Sequence, residues 1–493
     1  MQLRDYQKRF VRDIRDSFLS GARAPIGVAP TGSGKTAVMA HIAKGAAAKS
    51  NTCGIIAHRQ ELITQTSLAL ARGGVWHHVI APDSVRRECV RQHVEELGRS
   101  FYNSEAPSAV ASVQTLARRL TTSDAPDPFK LLFLDEGHHA VAGQWASLRA
   151  AMPEARILGM TATPERLDGK GLGTHAGGPY DDMVRGPTVE ELIGLGFLSR
   201  PRIYSPPTEI DTSRLRTERG DYKRGDAAQV VDKPSVTGDV IEHYRRLANG
   251  VPAIAFCVSV DHARHVAEQF ASAGYQSACV DGTMHDAERR RAIRALGEGR
   301  LHVLTSCDLI SEGTDIPIVG AAILLRPTQS LGLYLQQVGR VLRPYPGKEY
   351  SLILDHVGNA LRHGLPEEVR EWSLDGRVKK KRGAKEDSGP PVRVCMECYA
   401  SFPPTLDACP MCGAEVPKAG RAALEQRDGE LVEVDEVALK ARRRNEQGMA
   451  QTYDDLVALG RRRGYSHPES WARSIIGARG RKSAPRLPEP RLV

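Results

Sequence analysis

Short apolar runs alternate with stretches of helical spacing along most of the chain. The first run starts at Ile26 and enters a glycine-rich turn, after which Ala37–Ala48 reads as a helix; Cys53–Ala57, Ala109–Ser112, Lys130–Asp135 and Arg156–Thr161 follow as strands. Strands that are apolar throughout and separated by helices predict a parallel sheet covered on both faces. A polar, weakly patterned stretch with Pro206-Pro207 then reads as a connector, and a second alternating block begins. Its strands are Ala253–Val258, Gln276–Val280, Leu301–Thr305, Ala321–Leu325 and Ser351–Asp355, with helices such as Val260–Ala273 and His285–Leu296 between them. The predicted fold class is α/β: two tandem parallel-sheet domains followed by smaller C-terminal pieces. From Arg377 to Pro391 the composition turns to Lys, Arg, Gly and Pro, as in an exposed linker. The resulting division is a first domain at 1–200, a connector at 201–235, a second domain at 236–374, a basic linker at 375–391, a cysteine-bearing segment at 392–417 and a basic, partly disordered region at 418–493.

Composition narrows the class. At 493 residues the chain exceeds one core, and 41% hydrophobic with 26% charged residues describes a globular protein. No apolar run approaches the roughly 18 residues of a membrane span, and Met1 to Lys8 contain no signal-peptide core, so a cytoplasmic protein is expected. Cys53, Cys89, Cys257, Cys279 and Cys307 are scattered through apolar segments, as small buried hydrophobes in a reducing compartment. The net charge is +9, and residues 441–493 hold 12 Lys/Arg against 5 Asp/Glu, which leaves a surplus of only two for the rest. Such a tail either meets a polyanion or serves solubility.

Three patterns carry chemistry. In the run from Ile26 to Thr36 a strand enters the turn Thr31-Gly32-Ser33-Gly34 and a helix follows, which is a phosphate cradle. The two glycines let backbone N–H groups turn inward on a β/γ-phosphate, Lys35 adds a mobile charge, and Thr36 offers a hydroxyl to Mg²⁺. Ala29 stands where this loop pattern has its first glycine. The apolar strand ending at Leu134 delivers Asp135 and Glu136, the first to hold Mg²⁺ and the second to take a proton from an attacking water; alone, such a pair also occurs as a solvated strand end. Cys395-x-x-Cys398 and Cys409-x-x-Cys412 supply four thiolates in two knuckles, the ligand set of a closed structural Zn²⁺ site, with a disulfide pair as the alternative.

The chain then resembles the superfamily 2 helicases and translocases over roughly residues 1–360, on motifs in family order. Leu3-Arg4-Asp5-Tyr6-Gln7 is similar to the adenine-reading Q motif, Ala57-His58-Arg59-Gln60-Glu61-Leu62 to motif Ia, and Val113-Gln114-Thr115-Leu116 to the next strand-contacting motif. Thr161-Ala162-Thr163-Pro164 matches motif III, and the string on to Gly169 is similar to the branch of DNA-repair translocases and restriction-enzyme motor subunits. Ser311 to Pro317 matches motif V and Gln336 to Arg343 motif VI, while Gly137 departs from the alanine of DEAH-type members, a small exchange expected to matter little. The resemblance implies two RecA-like domains with ATP between them: Arg4, Gln7, Gly313 and Asp315 at the nucleotide, Gln336 in the catalytic set, and Arg340 and Arg343, three apart on one helix face, as arginine fingers. It also implies a nucleic-acid partner, DNA favoured over RNA, gripped at the backbone without sequence specificity through Arg59, Thr115, Ser259 and Thr305, although the two last hydroxyls read equally well as a helix cap and a strand end. An ATP-dependent helicase or translocase is expected; a restriction-complex motor subunit, an RNA helicase and a nucleotide-gated remodeller are the alternatives. The zinc ribbon and basic tail, with Gly460 to Tyr465 and Trp471-Ala472 resembling a C-terminal module of phage and prophage helicases, are expected to act after the motor as a grip or a protein dock.

Overall fold

A computed structural model of the chain describes residues 2–122, 129–141, 143–166, 168–206, 212, 215–218, 220–231, 234–307, 316–375, 392–395, 397–415 and most of 446–476. It forms two compact units, Met1–Lys418 and Ala419–Val493. Among the described residues no helix is long and apolar enough to cross a membrane.

The first sheet holds seven parallel strands: β1 (Pro25–Val28), β2 (Cys53–Ala57), β3 (His78–Ile80), β4 (Ser108–Ser112), β5 (Leu131–Asp135), β6 (Arg156–Thr161) and β7 (Asp182–Arg185), in the order β3-β4-β2-β5-β6-β1-β7. Every residue of β1, β2 and β4 is buried, as helices on both faces require. The helix α1 (Asp5–Leu19) shows why: Tyr6, Phe10 and Ile14, four apart, bury one face while its charged residues stay outside. Each such fully buried apolar side chain contributes about 1.5–3 kcal/mol. The central strands end on one edge, which places the turn after β1, the end of β5 and the end of β6 side by side.

The second sheet is built from β8 (Arg200–Tyr204), β11 (Ala253–Phe256), β12 (Ser277–Val280), β13 (Val303–Ser306), β14 (Ala321–Leu324), β15 (Tyr350–Asp355), β16 (Arg393–Val394) and β17 (Ala400–Phe402); a separate hairpin joins β9 (Thr217–Glu218) to β10 (Asp221–Tyr222). Its order is β12-β13-β11-β14-β15-β8-β17-β16. Two features differ from the sequence reading. β8, at the start of the stretch read as a connector, pairs in parallel with β15 along its whole length. The cysteine-bearing segment adds to the same sheet, since β17 pairs antiparallel with β8 through Ala400↔Tyr204 and Ser401↔Ile203. An open edge strand is a template for pairing, and the ribbon covers it. Val392 is fully buried in the second domain's core.

In the second unit, the helix Tyr453–Arg462 packs Leu456, Val457 and Leu459 against Ala472, with Trp471 beside them. A Cβ on Gly460 would stand 3.2 Å from Trp471 Cε3, so the indole is part of this small core rather than an open stacking platform. Residues 463–465 of that motif lie outside the described residues.

Candidate nucleotide cleft and cysteine site

The phosphate loop has the backbone its glycines demand. Gly32 and Gly34 sit at φ 86° and 81°, and Gly34 caps α2 (Lys35–Ala47), whose first turn carries Thr36. The ammonium of Lys35 donates to the carbonyls of Ala29 (3.0 Å) and Pro30 (3.3 Å). Ala29 itself is accommodated from the neighbouring strand's end: a Cβ on Gly186 would stand 2.9 Å from that of Ala29, so the room lost at one position is supplied at the other. The Q-motif residues fasten the loop from outside. Gln7 Nε2 and the Tyr6 hydroxyl both donate to the carbonyl of Ser33, at 3.1 and 2.9 Å, while Gln7 Oε1 accepts from the N–H of Arg4. The Arg4 guanidinium lies 3.9 Å from the centroid of Phe197, which also packs on Tyr6, giving a cation–aromatic wall beside the loop. The sequence pattern does not single out Tyr6 or Phe197 as site residues; a tyrosine within the Q motif is the signal it offers.

Asp135 ends β5 and Glu136 follows it; both are almost fully buried. Glu136 takes the left-handed conformation, φ 50°, and its Oε2 is buried 3.5 Å from His138 Nδ1 without a hydrogen bond among the described residues. His138 Nδ1 in turn meets Thr161 Oγ1 of motif III at 2.9 Å, and that hydroxyl also takes the N–H of Thr163. A carboxylate oxygen held buried with an open lone pair suits a base awaiting a water.

The second domain closes the cleft. The helix Leu331–Gly339 buries Gln336, and its two ends touch the first domain: a Cβ on Gly332 would lie 2.9 Å from Thr163 Oγ1, and one on Gly339 would lie 2.6 Å from Thr31 Cβ. Arg340 and Arg343 do not share one helix face as expected, because the helix ends at Gly339 and Arg343 lies beyond it. The backbone leaves the helix there since its freed carbonyls are captured: Lys348 Nζ donates to Val341 and, at 2.8 Å, to Arg343, Ser351 Oγ donates to Val341, and Ser199 N donates to Leu342 at 2.7 Å. Both guanidinium groups still lie within electrostatic range of Lys35, and a Cβ on Gly32 would stand 4.0 Å from Arg343 Cγ. Burial lowers the Lys35 pKa, Glu136 and Asp135 raise it, and Arg340 and Arg343 lower it further. Burial also pulls Arg343 down to about 10, which leaves it charged at neutral pH. Charges from both sheets therefore converge where a triphosphate carries its own. Gly313 and Asp315 lie outside the described residues.

Of the expected nucleic-acid contacts, Arg59 and Thr115 are half-buried at the starts of helices following β2 and β4. Ser259 caps the helix Val260–Ser272 by accepting from His262 N, and Thr305 is fully buried with its hydroxyl on the carbonyl of Ala263, 2.6 Å away. Thr305 thus serves the fold here, as in the strand-end reading of its hydroxyl. The domains also meet through Glu61 and Arg289, 3.3 Å apart.

The two cysteine knuckles are copies of one turn. Cys395 N donates to Ala400 O and Cys409 N to Ala414 O, while Tyr399 N and Gly413 N return to Cys395 O and Cys409 O. The equivalent positions Tyr399 and Gly413 are both left-handed, at φ 60° and 77°. The four sulfurs lie within 4.8 Å of one another, with Cys395–Cys412 and Cys398–Cys409 at 3.6 Å. A tetrahedron with Zn–S near 2.3 Å has edges of about 3.8 Å, whereas a disulfide needs about 2.05 Å, so the donor set fits a metal and not a bond.

Two parallel-sheet domains of RecA type with a phosphate loop and an acidic pair beside one cleft have the architecture of a nucleoside-triphosphate-binding protein. The family described as "Type III restriction enzyme, res subunit" matches residues 1–166, and "Helicase conserved C-terminal domain" matches residues 234–345. The "51.5 kDa protein" of Lactococcus phage (isolate 7-9) is 33% identical over 416 residues, 83% of each chain. The "Putative ATP-dependent helicase IRC3" of Saccharomyces cerevisiae is 27% identical over 72% of this chain, which spans about half (51%) of that relative. Among solved structures, "The fragment structure of a putative HsdR subunit of a type I restriction enzyme from Vibrio vulnificus YJ016" aligns with TM-score 0.54 at 18% identity over 73% of this chain and 65% of that one, and S. cerevisiae Dbp5 bound to RNA and ADP BeF3 with 0.50 at 17% over 73% and 85%. At those identities the likeness is one of fold. The chain belongs to the superfamily 2 helicases, and is an ATP-hydrolysing enzyme of that family.

Proposed function

We propose that the protein is a DNA translocase or helicase in which ATP hydrolysis between the two domains moves the chain along nucleic acid. The observation that carries the reading is the meeting of Lys35, Asp135 and Glu136 from one sheet with Arg340 and Arg343 from the other, across a contact as close as Gly339 on Thr31. Thr36 and Asp135 would hold Mg²⁺, which when bound offsets phosphate charge. Lys35 binds the phosphates, Glu136 accepts a proton from water, and Arg340 and Arg343 stabilise charge only when the domains are closed. Hydrolysis then alternates closure with opening, and two grips on a backbone shift relative to each other. DNA is favoured because the restriction-subunit family matches the first domain and motif III resembles the DNA-directed branch. The four cysteines hold zinc as a folding element rather than a catalytic one.

The test is the ATPase rate with single-stranded DNA, duplex DNA and RNA, with Lys35→Ala and Glu136→Gln as controls. Stimulation by DNA is expected, with ATP binding lost in the first variant and kept in the second; stimulation by RNA alone would sink the DNA assignment. The restriction-subunit match also favours a second reading, a motor that translocates on duplex without separating strands. Triplex displacement without strand displacement would select it.

A further inference from the structure

Gly137 departs from the family's alanine, and the structure explains what took the methyl's place. Tyr180 is fully buried, and its hydroxyl donates to the carbonyl of Gly137 at 2.7 Å. A Cβ on Gly137 would stand 2.5 Å from that hydroxyl and 3.1 Å from the Cα of Gly159 in β6. A Cβ on Gly159 would stand 2.5 Å from Cε1, Cζ and the hydroxyl of the same ring. One glycine within β6 and one in the turn just after β5 therefore open a slot, and the phenol fills it. Its loop is well anchored: Tyr180 N donates to Leu172 O, Thr174 N to Tyr180 O, and the Asp181 carboxylate takes the N–H groups of Arg23 and Ala24.

What the phenol holds is the turn that aims Glu136. A non-glycine residue at φ 50° is disfavoured and persists only where its surroundings fix it. Here the carbonyl of Glu136 accepts from His139 N at 3.0 Å, and that of Gly137 accepts from both Ala140 N at 3.1 Å and Tyr180. We infer that Tyr180 is a positioning residue for the catalytic base, locking the Asp135-Glu136-Gly137 turn so that the Glu136 carboxylate stays aimed into the cleft. Burial raises the phenol's pKa, so it remains a donor across the physiological range. The inference rests on Glu136 being the base.

The experiment is a mutant cycle read by nucleic-acid-stimulated kcat, ATP affinity and circular dichroism on the full chain. Tyr180→Phe keeps the ring and removes only the hydroxyl; kcat should fall about tenfold or more while ATP affinity holds. Gly137→Ala should fall further, because its methyl meets the hydroxyl, and Tyr180→Phe introduced into Gly137→Ala should restore part of the loss. Gly159→Ala should gain nothing from Tyr180→Phe, since its Cβ also meets the ring carbons. A fully active Tyr180→Phe beside an inactive, ATP-binding Glu136→Gln overturns the inference alone, as does a Gly137→Ala loss that Tyr180→Phe leaves untouched. A normally active Glu136→Gln overturns the base assignment and the inference with it.

Discussion

Gly339, the last residue of the motif VI helix, lies so near Thr31 that a single added carbon would stand 2.6 Å from the threonine Cβ. Closure of the cleft thus depends on hydrogen at this position. Gly339→Ala should hold the domains apart by a few tenths of an ångström to an ångström and reduce turnover by about 10²-fold. ATP binding to the first domain should change little. Steady-state ATPase with a fluorescent-nucleotide titration checks it, and unaltered turnover would show that the two faces separate during the cycle without needing this contact.

The position of Arg343 depends on Lys348, whose ammonium donates to the carbonyls of Val319 (2.7 Å), Val341 and Arg343. Arg343→Ala should cost on the order of 10³ in turnover as a lost finger. Lys348→Met keeps the finger and takes one donor from each of three carbonyls; Val341 O keeps Ser351 Oγ and Arg343 O keeps Ser199 Oγ, so the unmet acceptor is that of Val319, at about 1–3 kcal/mol if no water reaches it. It should therefore lower both kcat and the melting temperature, whereas Arg343→Ala lowers kcat alone. Equal melting temperatures for Lys348→Met and the parent would remove Lys348 from this role.

Much of this was legible in the chain. β5, β6, β13 and β14 were readable because buried parallel strands are apolar throughout, and the loop around Gly32 and Gly34 because its spacing is rigid. β3, β7 and β8 were not, because they are short or lie toward sheet edges and carry His78, Asp182, Arg200 and Arg202. Tyr180 and Lys348 escaped for another reason. Each acts on backbone carbonyls, near in sequence for Lys348 and distant for Tyr180, and carbonyls leave no mark in a sequence. Both departures from the family pattern, Ala29 and Gly137, became intelligible only through Gly186 and Tyr180, whose proximity the fold alone creates.

Acid should weaken the first domain through a buried pair. Ser67 Oγ sits between His77 Nε2 (2.7 Å) and His93 Nε2 (3.0 Å), and His77 Nδ1 meets the carbonyl of Val75. Phe101 N donates to His93 Nδ1, so the network holds only with a neutral His93. Burial pulls His77 from 6.5 to about 4 and lowers His93 as well. The folded state then binds fewer protons than the unfolded one between those values, so stability is complete above pH 6.5 and is lost as pH falls toward 4. For His77 alone the loss is about 2 kcal/mol by pH 5. Urea melts at pH 7 and pH 5 on the parent and on His77→Asn should show a smaller acid loss in the variant; parallel losses would place the acid sensitivity elsewhere.

The cysteine site should matter to the motor itself and not only to the C-terminal region beyond it. β17 pairs with β8, Tyr204 of β8 packs against the cluster of Cys395, Ala400, Phe402 and Cys409, and Ser205 N donates to Tyr399 O. The residue just before β8, Ser199, gives its N–H to Leu342 and its hydroxyl to Arg343 O at 3.3 Å. Loss of the ribbon would thus uncover an edge strand, take Val392 out of the second domain's core and loosen the strand that begins beside the arginines. Leu374 is no safe boundary either, because its carbonyl accepts from Leu172 N and Gly173 N in the first domain. A chain ended at Asp375, or a Cys395→Ser/Cys412→Ser variant, should lose melting temperature and basal ATPase together. A chain ended at Lys418, where the first compact unit closes, should keep both. If the basic tail also grips nucleic acid, that longer truncation should flatten the salt dependence of binding by roughly 0.7–0.9 in log–log slope for each phosphate the tail neutralises. Calorimetry, basal ATPase and DNA titration over a salt series, run on all three proteins, separate the roles: full basal ATPase after loss of the ribbon would falsify the edge-strand argument, and an unchanged slope in the Lys418 truncation would exclude the tail as a grip.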